Sequence, residues 1–182
     1  MKPAPGVLLI AEPYLPDPNF FRTVVLLVEH NREGSLGFVL NRPAPLLVKQ
    51  VTDFFGEVDY PLFQGGPVQT DTLHLVHALG EVLPNSQKVA DRIYWSGDFR
   101  RLRAILSTRQ LPPSTLRFFV GYAGWAPGQL EAEIQQKSWI LAPARPEYVF
   151  SEEPQNLWRR VLKDMGGKYA FIATFPEDPR VN

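Results

Sequence analysis

Residues 117–134 read RFFVGYAGWAPGQLEAEI, and the fold turns on this stretch. Phe118, Val120 and Tyr122 alternate with Phe119, Gly121 and Ala123, so both faces of a strand through them are apolar. That is the pattern of a strand covered on both sides, and the spacing predicts a central one. Gly124-Trp125-Ala126 then marks a change of direction. Pro127 suits the first helical position, where its missing N–H would be unpaired anyway and its fixed φ is already helical. Leu130 and Ile134, four apart, share one face of the helix that follows, with Glu131 and Glu133 on its flanks. If Pro127 opens the helix, the cap falls on Ala126, whose methyl group cannot accept from the Gly128 or Gln129 N–H. Those donors then need a partner: a carboxylate from elsewhere in the chain, water or a bound anion. Trp125 adds a flat apolar wall and Tyr122, Gln129 and Glu131 add polar groups, which makes the stretch a candidate binding site. The competing reading is a purely structural strand-to-helix turn.

Upstream, residues 6–11 read as a first strand and 23–29 as a buried one, and the segment between them carries three prolines over 12–19 and is expected to be irregular. Asn31-Arg32-Glu33-Gly34 is a hairpin turn signal, after which 35–40 returns as a strand. Leu47, Val48, Val51, Phe54 and Phe55 recur at helical spacing, which predicts a short amphipathic helix ending near Gly56. Gln64-Gly65-Gly66-Pro67-Val68 is turn-like, residues 72–78 alternate as a strand, and 79–89 is loop-like in composition. A short strand at 93–95 stops at Ser96-Gly97-Asp98. Asp98 is placed to cap a helix with Phe99, Leu102, Ile105 and Leu106 on one face. After the opening stretch come a strand at 138–141, a helix capped by Ser151 with Leu157, Trp158, Val161, Leu162 and Met165 inward, a stop at Gly166-Gly167 and a last strand at 169–174. Strands outnumber helices and hairpins mix with single crossovers. The expected fold is α+β, a single domain over 1–182 with a coiled, mostly antiparallel or mixed sheet flanked by about four helices.

Composition narrows the function classes. Nineteen basic and nineteen acidic residues give a formal net charge of zero, whereas nucleic-acid-binding domains carry a basic excess or stripe. Direct nucleic-acid binding is therefore not expected. There is no cysteine, which excludes disulfides, thiolate metal sites and cysteine nucleophiles and fits a reducing cytoplasm. The apolar run from Val7 to Ala11 is far too short for a membrane span of roughly 20 residues, so a membrane partner is not expected.

The chain carries no phosphate-binding loop, no zinc-protease helix motif, no nucleophile elbow and no calcium loop. His74 and His77 are three apart, an odd separation that sends them to opposite faces of a strand and argues against a shared metal. Arg100, Arg101 and Arg103 crowd a helix start, where positive charge costs about 0.3–1 kcal/mol each when exposed. They read either as an anion site or as a solvated face, and Arg159, Arg160 and Lys163 read as a solvated patch.

The segments GVLLIAEPYLPDPNFFRTVVLLVEH, GSLGFVLNRP, FQGGPV, the Ser96-Gly97-Asp98 step, GYAGWAPGQLEAEI and LWRRVLKDMGGKYA resemble, in order and over almost the whole chain, the AlgH/YqgE family of bacterial proteins. The resemblance implies one α+β domain of coiled, mostly antiparallel strands in the cytoplasm. It implies a transcriptional role only through the family name, and it implies no reaction and no cofactor. The family's recurrent positions fall on Asn41-Arg42-Pro43, Gly65-Gly66-Pro67-Val68, Gly97-Asp98, Gly121 to Trp125 and Gly128-Gln129-Leu130-Glu131. Gln64 stands where the resemblance leads one to expect an apolar or aromatic residue or a glycine.

Three readings follow. The first is a domain binding a small molecule or protein partner, with Asn41, Arg42, Gly65, Gly66, Gly97, Asp98, Tyr122, Gly124, Trp125, Gly128, Gln129 and Glu131 as candidate site residues. The second is a transcriptional regulator that acts without a helix-turn-helix. The third is an enzyme using Asp98 and Glu131 as an acid/base pair. No residue pattern names a cofactor, a metal or an oligomeric state.

Overall fold

The computed structural model describes residues 1–180. β1 (Val7–Ala11) and β2 (Val24–Asn31) are the apolar runs read from the sequence, and they pair antiparallel. The chain turns at Arg32-Glu33 and returns as β3 (Gly34–Val39), with Asn31 opposite Gly34. Then come β4 (Pro43–Leu47), β5 (Pro61–Gln64), β6 (Val68–His77), β7 (Gln87–Ala90), β8 (Ile93–Trp95) and α1 (Phe99–Thr108). The opening stretch supplies β9 (Leu116–Trp125) and α2 (Gln129–Gln135), and β10 (Trp139–Pro143), α3 (Pro146–Val149), α4 (Leu157–Met165) and α5 (Gly167–Ile172) complete the order. The fold is α+β, with five α-helices among the described residues. Among them no helix is long and apolar enough to cross a membrane.

Eight strands form one path in the order β10-β1-β2-β3-β9-β6-β8-β7, and every pairing along it is antiparallel. β9 is central, as its alternation predicts. One of its edges bonds β6. The other is divided: Ala123, Gly124 and Trp125 pair antiparallel with β3, whereas Phe118, Phe119 and Val120 pair in parallel with β5, which carries β4 on its outer side. The side chains of β9 feed three cores. Phe119 packs with Phe38, Leu26 and Trp158; Phe118 packs with Leu75, Leu102 and Phe55; Ala123 and Trp125 pack with Leu9, Leu27, Leu130 and Trp139.

Three local expectations are corrected. No helix forms over 47–55, because the Val48 N–H donates to the Tyr60 carbonyl (2.9 Å) and Leu47 pairs with Pro61, leaving only a 3₁₀ turn at Val48–Gln50. Residues 169–174 are not a strand but lie mostly in α5: Tyr169, Ile172 and Ala173, at spacings of three and one, reach one core, while Phe171 points outward at 68% exposure. Ser151 does not cap α4. Its Oγ accepts from the Glu153 N–H (3.2 Å), and a 3₁₀ turn at Pro154–Asn156 precedes the helix.

His74 and His77 do face opposite sides of β6. His74 lies against the Phe38 and Tyr122 rings, and His77 stacks on Tyr94 (5.7 Å). His77 is fully buried, its Nδ1 accepts from the Leu79 N–H (3.1 Å), and its Nε2 lies 2.8 Å from both the Ser86 hydroxyl and the Ser96 carbonyl. Nδ1 therefore carries no proton in this arrangement. Burial lowers the pKa of both histidines from the ordinary 6.5, so the unfolded chain binds protons that the folded one refuses. The histidine contribution to stability is thus complete above the unfolded value and is lost as pH falls through the lower, folded values. Urea unfolding at stepped pH should show stability level above about 6.5 and falling between that point and the carboxylate range, with a shallower fall in His77→Asn. Stability that rises on acidification across this window would contradict the assignment.

Candidate ligand-binding cleft

A strand edge divided between two partners must open where they part, and β3 and β5 part beside Val120. The divergence is held by backbone contacts: the Gly65 N–H donates to Val120 O (2.8 Å), Gly65 O accepts from the Val39 N–H (2.8 Å), and the Gln64 N–H donates to Arg42 O (2.8 Å). A Cβ on Gly65 would overlap the Gly121 carbonyl, and one on Gly66 would overlap the backbone of Tyr122, which is why this crossing needs glycine. A cleft of about 460 Å³ opens in the fork, with Arg42, Gln64, Gly66, Thr70 and Asn19 supplying polar groups and Val39 and Val120 its apolar floor.

Asn41 and Arg42 do different jobs here. Asn41 is buried and extends the sheet with its side chain: Oδ1 accepts from the Val24 N–H (3.0 Å) and Nδ2 donates to Arg22 O (2.9 Å). It is a structural residue. Arg42 follows it out of the ladder and donates through one Nη to Phe21 O. A guanidinium has five N–H donors, and no carboxylate lies within ion-pair distance of this one among the described residues. Partial burial lowers its pKa, the mark of a charge kept without an acidic neighbour to stabilise it. Gln64 is the amide residue among those that line this cleft on the β5 side.

The remaining candidates do not join Arg42. Tyr122, Gly124 and Trp125 border a second cleft of about 420 Å³, with Glu29 and Glu33 on its rim. Gly97 sits against Leu83 where a Cβ would not fit, and the Asp98 carboxylate accepts from the Arg100 and Arg101 N–H groups (2.9 and 3.2 Å) as the cap of α1. Glu131 faces His30 at 3.9 Å, and the other side of that ring meets the Ser35 hydroxyl at 2.6 Å. Asp98 thus serves the α1 side of the sheet and Glu131 the β2–β3 hairpin. Nothing in the described residues joins them as an acid/base pair.

The helix start in the opening stretch also differs from expectation. β9 runs on to Trp125, Pro127 lies outside the helix, and Gly128, at φ 80, occupies the cap position. The Gln129 N–H donates to Ala126 O (3.0 Å) and the Gln129 Oε1 accepts from the Ala126 N–H (2.9 Å), so the turn largely closes on itself. The side chain the sequence reading passed over is Glu133. Its Oε1 accepts from both the Trp125 and Trp139 indoles (3.1 and 2.9 Å), and its Oε2 accepts from Gln129 (2.9 Å). One carboxylate thereby fastens α2 to β9 and β10, a tertiary pairing that no local spacing announces.

A second device that the sequence did not reveal holds the segment after α5. The buried Arg22 donates to the carbonyls of Phe175 (3.0 Å) and Pro176 (2.6 Å) and lies 4.3 Å from the Trp158 ring centre. Arg159, expected on a solvated patch, donates to Ala173 O and to Phe175 O (3.1 Å), and the Tyr14 hydroxyl donates to Pro176 O (2.9 Å). Burial, with repulsion from Arg159, lowers the pKa of Arg22. Residues 173–179 form a strap laid across the body of the fold.

The family described as AlgH-like matches residues 8–170. The chain belongs to that family. It is 48% identical over 179 residues to a UPF0301 protein of Chlorobium luteolum, covering 98% of this chain and 95% of the relative. It is also 41% identical over 178 residues to one of Cytophaga hutchinsonii, covering 97% and 98%. Among solved structures, a protein of Corynebacterium diphtheriae superposes with a TM-score of 0.81 at 27% identity, covering 96% of this chain and 94% of that one. The AlgH protein of Pseudomonas aeruginosa superposes with a TM-score of 0.73 at 30% identity, covering 96% and 97%. The chain thus shares the overall fold of these two solved structures.

Removing Glu133 strands two indole N–H groups that are largely buried. Glu133→Ala should lower the unfolding free energy by about 2–3 kcal/mol in urea titrations followed by tryptophan fluorescence, and Glu133→Gln, which keeps one acceptor, by less. An alanine variant as stable as the parent would show that water replaces the carboxylate without loss.

Proposed function

We propose that this AlgH-like chain is a cytoplasmic binding domain for a small organic anion, seated in the fork between β3 and β5 with Arg42 as its charge partner. The observation that supports this is the Arg42 guanidinium: partly withdrawn from water, bonded to one carbonyl, without a carboxylate in ion-pair distance among the described residues, and placed in a cleft lined also by Gln64 and Thr70. Water would hydrate such a charge better than this cleft does, so an anion entering the fork gains both the Coulomb attraction and charge-assisted hydrogen bonds. Carboxylates and phosphates suit a planar fork of donors best. Duplex DNA is outside this reading. The formal net charge is zero, Arg103 lies over the Phe54 ring and Arg159 is engaged with the strap.

A ligand that binds only the folded chain raises its apparent stability. Thermal-shift titration with a panel of carboxylates and phosphates at low ionic strength should give stabilising anions. Arg42→Ala should weaken their binding about 10- to 100-fold and Arg42→Lys less, since a lysine keeps the charge but loses the planar fork. Stabilisation of equal size in parent and Arg42→Ala would move the site elsewhere.

A further inference from the structure

The cleft at Arg42 does not end at the fork. A second recess of about 530 Å³ adjoins it, and the two share Arg42 and Pro18. Their chemistry is opposite. Around the first arm stand Asn19, Gln64 and Thr70; the second is walled by Tyr14, Leu15, Pro16 and Phe21, with Pro179 of the strap on its far side. The strap brings one charge to this arm, the carboxylate of Glu177. Its wall is prebuilt, because Arg22, Arg159 and Tyr14 hold strap carbonyls at 173, 175 and 176.

We infer that the ligand is an amphipathic monoanion, its charged head on Arg42 at the joint of the two arms and its apolar body in the arm under the strap, with Glu177 disfavouring a second negative charge. This rests on the anion-binding reading of the fork and adds the class of anion. Charge complementarity fixes the head: Arg42 is the cation common to both recesses. The rings and prolines fix the body, since an apolar chain leaving water for such walls gains about fourfold in affinity for each methylene fully buried. Glu177 sets the limit on charge, because a far-end carboxylate brought beside it meets a like charge at the exposed rim of the recess, a repulsion that is felt at low ionic strength.

Calorimetric titration of the full chain with acetate, octanoate, 1-octanol and suberate separates the parts. Inorganic phosphate against octyl phosphate at about pH 5, where each carries one negative charge, runs the same comparison for a phosphate head. The expected order puts the eight-carbon monoanion at least about tenfold above its short counterpart, above octanol and above suberate. Binding should weaken about 10- to 100-fold in Arg42→Ala, and the gap to suberate should narrow in Glu177→Gln, an exposed position whose exchange leaves the strap's carbonyl bonds in place. Short and long anions that bind equally, and both weaken in Arg42→Ala, would overturn the amphipathic class and leave the anion site standing. Octanol binding as well as octanoate would overturn the role of the charge. A suberate gap unchanged in Glu177→Gln would overturn the role of Glu177. If neither head group binds in a manner that depends on Arg42, the anion-binding reading falls as well.

Discussion

A strand has two edges, and β9 serves three partners. The constraint is met by dividing one edge lengthwise, β5 taking residues 118–120 and β3 taking 123–125, with β6 along the opposite edge. The hand-over falls at Gly121, whose φ of 70 lies in the left-handed region that glycine adopts without strain. Gly65 and Gly66 cross it at backbone contact distance. Fully paired antiparallel neighbours would leave no opening at this place. Here the two shares meet end to end where the Val39 N–H donates to Gly65 O, and the cleft opens beside that junction.

The polar character of the fork follows from this geometry. Beyond the end of β3 the pairing with the start of β2 is continued by a side chain. Asn41 substitutes for a strand residue with its own amide, and Arg42 leaves the ladder carrying a charge into the gap. A guanidinium in such a place costs solvation that its one carbonyl bond offsets only in part. The fold tolerates that cost at Arg42, whereas it surrounds Arg117 more completely. Arg117, with its pKa lowered by burial to about 10, donates to the carbonyls of Val149 and Ser151 and lies over the Phe63 ring. The contrast distinguishes a buried arginine that braces the core from one that faces a space.

The sequence made the ladder legible and left the joints obscure. The double-sided apolar alternation of 117–125 announced the central strand, Asn31 to Gly34 announced the hairpin, and Asp98 announced the start of α1. Each of these signals is local. The helix expected at 47–55 failed because Val48 finds a carbonyl at Tyr60, a partner that no window of sequence contains. The strand expected at 169–174 failed because aromatic and β-branched residues fit a helix face equally well once α4 ends at Gly166 and the chain turns back onto the core. Arg42 was legible as part of a motif. Glu133 and the Arg22–Arg159 clamp were not, since their partners lie six or more residues away and are reached only through the fold.

Past Ala173, whose methyl group lies in the core, the strap is fastened largely through main-chain carbonyls, with Phe175 set against the Tyr14 and Phe171 rings as its side-chain contact. Every residue type has a carbonyl, so the clamp recognises that a chain passes and takes little notice of which chain it is. Substitutions at exposed strap positions such as 174 and 177 therefore cost the clamp little, while Arg22 is confined by the three carbonyls of Pro13, Phe175 and Pro176, an indole face and a positive φ of 53. One wall of the second recess thus hangs from an anchor that reads main chain alone, a division of labour in which the wall's side chains and the sheet beneath it are specified separately.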